Sequence, residues 1–90
     1  MDLSESEFGI FEKEILTAAS AFNFDLENLA VEFFSPGRQG IFVETVGARV
    51  FRIHVNLEEG RIIAVKQIAG PPVPEGEASD PFAKYKIFMK

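Results

Sequence analysis

Hydrophobic positions recur along this chain with two different periods. Phe8, Phe11, Ile15, Ala18, Ala19 and Phe22 are three or four residues apart, which puts them on one stripe of a helix. Glu12, Lys13 and Glu14 take the opposite side. Ser4-Glu5-Ser6-Glu7 fits a capping box, in which Ser4 accepts from the Glu7 N–H while Glu7 reaches back, worth about 1 kcal/mol. The spacing predicts a helix over about residues 4–22, with Asn23 as its stop.

From Leu29 onward the period is two. Leu29, Val31 and Phe33 fall on one face, and Ala30, Glu32 and Phe34 on the other. Phe51, Ile53, Val55 and Leu57 alternate with Arg52, His54 and Asn56. Strands are predicted at about 29–34, 41–46, 49–57 and 61–68. Between them, Pro36-Gly37 suits a type II turn, Gly47-Ala48 a type II′ hairpin, and Glu58-Glu59-Gly60 a further turn. The fourth strand is apolar on both sides, as expected if both its faces are covered or one meets another chain. A Pro-rich loop over 70–81 excludes helix and central strand there. Residues 83–89 alternate again and predict a last strand, with a short helix as the alternative.

Consecutive strands joined by short turns pair antiparallel. The expected fold is therefore α+β in one domain, residues 1–90: an N-terminal helix packed on a four- to five-stranded antiparallel sheet as a two-layer sandwich. The helix-first meander, with Val55-Asn56-Leu57-Glu58-Glu59-Gly60-Arg61-Ile62 at a strand turn, is loosely similar to PepSY-type domains over about residues 10–68. What is shared is generic hairpin chemistry, and it assigns no family.

Composition narrows the chemistry. Ten of the ninety residues are Phe, ample for a core in a chain too short for two domains. The absence of Cys excludes disulfides, thiol catalysis and Cys-ligated zinc. An acidic N-terminus without a basic or apolar leader pattern, and no apolar run near the ~20 residues that span a bilayer, predict a cytoplasmic protein with no membrane partner. The net charge of −5 is uneven: residues 1–32 hold eight acids and one base, whereas residues 33–90 hold six acids and eight bases. With basic residues clustered only at Lys84, Lys86 and Lys90, the composition argues against nucleic acid.

No catalytic or metal constellation is readable, and no cofactor is implied. His54, the only histidine, lies between Arg52 and Asn56 on an outward strand face, with no nucleophile at a recognisable spacing. Glu58-Glu59 and Glu75/Glu77 lack the ligand density of a calcium loop. Phe34, Phe42 and Phe88 are assigned to the outward faces of their strands, where an apolar patch would mark an interface. The expectation is thus a non-enzymatic interaction module: an inhibitor, adaptor or chaperone-like protein. Glu12 and Glu14 would steer a partner, and Phe34, Phe42, Arg52, His54 and Phe88 would contact it. The partner is a protein of unspecified identity, and a homodimer through the sheet is a related expectation. A small-molecule domain with its ligand between helix and sheet is the alternative, and an enzyme using His54 with a carboxylate is the third reading.

Overall fold

The computed structural model describes residues 9–72 and 82–89. The Ser4 capping box, the first residues of the expected helix and most of the Pro-rich loop lie outside them. A 3₁₀ turn at Gly9–Phe11 leads into helix α1, Glu12–Ala21. Glu12 and Glu14 in its first turn complement the positive end of the helix dipole. The helix stops where expected. Asn23 adopts φ 58°, the Asn23 N–H donates to the Ser20 carbonyl (3.2 Å), and the Phe24 N–H donates to the Ala19 carbonyl (2.9 Å). This left-handed cap satisfies carbonyls that a helix end would otherwise leave open. Asp25 then caps a second 3₁₀ turn, Leu26–Asn28, accepting from the Glu27 N–H at 3.1 Å.

Four strands follow: β1 Leu29–Ser35, β2 Gln39–Val46, β3 Arg49–Asn56 and β4 Arg61–Ala69. They form one antiparallel sheet in the order β1-β2-β3-β4, the meander expected from short connections. The turn chemistry is as read. Gly37 takes φ 71° behind Pro36, with the Arg38 N–H donating to the Ser35 carbonyl at 3.0 Å, while Gly47 takes φ 62° in the β2–β3 hairpin. Both positions need the left-handed backbone that glycine adopts without strain.

The fifth strand is not formed. Ala83–Lys86 is a short helix, α2, and its trailing turn reaches β4 through one bond, from the Ile62 N–H to the Phe88 carbonyl (2.9 Å). Alternation over 83–89 imitates a strand because Phe82, Tyr85 and Phe88, three apart, are the residues turned toward the core.

The core gathers Ile15, Ala18, Ala19 and Phe22 of the helical region with Phe24, Leu29, Phe34, Phe42, Phe51, Ile53, Val55, Ile62 and Tyr85. Phe11 meets Phe34 (5.9 Å between ring centroids), and Phe82 meets Phe51 edge-on (5.1 Å). Fully burying one such side chain stabilises the fold by roughly 1.5–3 kcal/mol.

Two face assignments need correction. In β1, Val31 pairs with Phe42 and Phe33 with Ile41, so Glu32 is an extra, unpaired residue. This bulge reverses the parity of the strand beyond it. Phe34 therefore enters the core at 5% exposure, and Phe33, expected inside, is 41% exposed. In β2, Phe42 pairs with Ile53 and lies wholly buried on the inner face.

Candidate functional site

Two groups of polar side chains stand out, one on each face of the sheet. On the inner face, Glu44 of β2 is fully buried between its pairing partners Leu29 and Phe51. Burying a carboxylate costs several kcal/mol unless it is paired and hydrogen-bonded. Glu44 is satisfied on both oxygens. Tyr85 donates its hydroxyl to Oε1 (2.5 Å), Lys84 donates Nζ to both oxygens (3.0 Å each), and the Asp25 N–H donates to Oε2 (2.6 Å). The Lys84 ammonium also lies 5.4 Å from the Tyr85 ring centroid.

Burial pushes the Tyr85 phenol up from its ordinary value of 10.0, and the hydrogen bond and charge of Glu44 push it further. A phenol beside a carboxylate and an ammonium is a set that proton transfer can use. A reactant must reach it, however, and neither Glu44 nor Tyr85 has exposed surface. What the cluster does is join three distant pieces of chain: β2, the turn after α1, and α2.

The outer face is differently made. Pairing places Phe33, Ile41, His54 and Ala64 in one row across it, and Ala30, Val43, Arg52 and Lys66 in the next. Glu32 accepts two bonds from Arg52, at 2.6 Å from Nε and 3.1 Å from a terminal nitrogen. That hydrogen bond, followed by the carboxylate's charge, raises the Arg52 guanidinium above its usual value. His54 Nε2 lies 3.0 Å from Gln39 Oε1. Ile63 and Ile68 occupy the two breaks in β4's register, have no cross-strand partner, and are 45% and 40% exposed. Bulges re-aim side chains in this way. Ile63 also helps line a shallow depression of about 240 Å³ with Arg38, Gln39, Asn56 and Glu58.

The residues singled out in the sequence separate accordingly. Arg52 and His54 lie on the outer face, and Glu12 and Glu14 are exposed on α1. Phe34 and Phe42 leave the surface set because both are core. Phe88, read as an outward strand residue, is half-buried after α2 with its ring edge-on to Phe22 (5.3 Å). Glu44, Lys84 and Tyr85 escaped the sequence reading, since 40 and 41 residues separate the partners and no local spacing joins them. Phe33 escaped it because a bulge cannot be seen in the alternation, whereas Ile63 and Ile68 were covered only by the reading of the fourth strand as apolar on both sides.

Among the described residues, no three His, Asp or Glu side chains are grouped to hold a metal ion. No described helix is long and apolar enough to cross a membrane. Comparison with protein-family models, with curated proteins and with solved structures returns no match to this chain.

Proposed function

We propose that this chain is a non-enzymatic protein-interaction module of the inhibitor, adaptor or chaperone-like kind. Its docking surface is the outer face of the sheet. In this reading the helices close the inner face to give a two-layer arrangement in a cytoplasmic protein, and the exposed Glu12 and Glu14 of α1 guide approach electrostatically. The observation that carries the reading is the character of the outward residues. An antiparallel sheet with one wet face is normally polar there. Here Phe33, Ile63 and Ile68 stand 40–45% exposed, beside half-exposed Ile41, Val43 and Val50. Exposed apolar side chains gathered on one sheet face, with Glu32, Arg52 and Lys66 among them, are the kind of surface that an interaction site presents.

The other readings find less support. The depression at Arg38, Gln39, Asn56, Glu58 and Ile63 has no lining residue from α1, whereas a ligand between helix and sheet needs one. His54 bonds the carboxamide of Gln39, not a carboxylate that would orient it as a base.

A photo-crosslinking residue at position 33 tests the proposal, with position 20 on α1 as the control. The expected result in cell extract is a discrete protein adduct at position 33 that is lost when Val43→Lys is added. No adduct at position 33, with any protein including this chain itself, overturns the reading.

A further inference from the structure

We infer that the occupant of the outer face is a second copy of this chain, with the two sheets stacked face to face about a two-fold axis. The inference rests on the interaction reading above and adds the partner to it.

Charge is the first argument. Among the described residues eight acids balance eight bases, so no net charge on them opposes a second copy. On the outer face Glu32 is neutralised by Arg52, and Lys66 stands beside Arg52. Glu32, the carboxylate of the outward strand positions, thus meets a second copy already paired.

Symmetry is the second. At a two-fold interface, residue i of one copy meets residue j of the other, and j meets i. The Glu32–Arg52 pair suits this requirement because it holds both signs within one patch. A guanidinium has five donors, of which Arg52 spends two on Glu32. The rest can bond Glu32 of the second copy while the original pair remains. The result is a closed ring of two carboxylates and two guanidiniums set among Phe33, Ile41 and Val43.

Area is the third. Four strands of seven to nine residues make a face of roughly 500 Å². Burying it on both copies removes about 1,000 Å², the lower bound for a specific interface. A weak, concentration-dependent dimer is therefore expected. The sheet edges offer a poorer route. Every break in register falls in β1 or β4, the two edge strands, whereas β2 and β3 pair without interruption. Bulged edges are poor templates for strand addition.

Sedimentation equilibrium of the full chain over a wide concentration range tests this. The expected species has twice the 10.0 kDa chain mass at high concentration. R52E and E32R should each weaken association at least about tenfold, as like charges then face one another. An equimolar mixture of R52E and E32R should associate again, because opposite charges then meet across the axis. Phe33→Lys supplies a variant independent of the ion pair and should also give monomer, with circular dichroism and melting temperature retained. A native chain that stays monomeric at millimolar concentration overturns the inference. So does a dimer indifferent to Phe33→Lys, or a mixture that does not re-associate. If position 33 cross-links other proteins while the native chain sediments as monomer, only the choice of partner fails and the interaction reading stands.

Discussion

Glu44 and Glu32 are both strand carboxylates that accept hydrogen bonds from a cationic side chain, yet they serve the molecule in opposite ways. Glu44 is sealed inside, and its three partners come from residues 25, 84 and 85. Glu32 sits on an exposed bulge, and its partner Arg52 is itself open to solvent. Water screens the second pair and competes for its hydrogen bonds, so it adds little to stability. The Glu44 carboxylate has no such competition, although Lys84 is itself 35% exposed, and losing a donor leaves that carboxylate short of partners in an apolar surround. Similar groups therefore act as a structural joint on one face and, in the proposed reading, as a recognition element on the other.

Substitutions that cross this divide should separate the faces sharply. The largest contrast is aromatic. Phe42→Ala should lower unfolding free energy by about 3–5 kcal/mol through cavity formation, while Phe33→Ala should stay within about 0.5 kcal/mol, both read from urea denaturation. Next comes Glu44→Gln, which keeps the shape but removes the charge facing Lys84 and Tyr85. A loss of about 2 kcal/mol is expected in the same assay, and a neutral result would mean that the joint bears no load.

Tyr85→Phe should cost less, about 1 kcal/mol, and should also alter the alkaline limb. The folded phenol titrates above its ordinary value of 10.0, so the unfolded chain gives up that proton first. The stability linked to Tyr85 is thus complete below pH 10.0 and declines as pH rises beyond it. Tyr85 is the only tyrosine and there is no tryptophan, so near-ultraviolet absorbance isolates the group. Native protein should withhold tyrosinate absorbance above pH 10.0 until it unfolds. A normal titration curve in folded protein would contradict the burial argument. The smallest effect belongs to Arg52→Ala, which should leave the melting temperature of the monomer unchanged while weakening self-association in sedimentation.

The sequence was most legible where structure is local. The Asn23 stop, the Pro36-Gly37 turn, the Gly47 hairpin and four strands in meander order all follow from neighbours within a few residues. Two kinds of information were not written locally. One extra residue in β1 exchanged Phe33 and Phe34 between faces, because parity beyond a bulge depends on the pairing strand. Glu44, a charged residue beside Phe42, marks its side of β2 as solvent-facing to any reading of periodicity. Only Tyr85 and Lys84, far along the chain, make that side an interior. α2 hid for a related reason: seven alternating residues fit a strand until Phe82, Tyr85 and Phe88 are seen turned together toward the core.

The separation between Glu44 and its counterparts also sets an order of assembly. Each hairpin of the meander closes over a short loop, whereas the Lys84–Glu44 contact spans 40 residues and carries a larger entropy of closure. During synthesis, the centre of the sheet leaves the ribosome well before the lysine and tyrosine that complete it. A chain truncated after position 72 should present Glu44 without those two donors and be readily cleaved by protease. Restoring the segment that carries Lys84 and Tyr85 should confer protection in a single step, and protection of the truncated chain would refute that sequence of events.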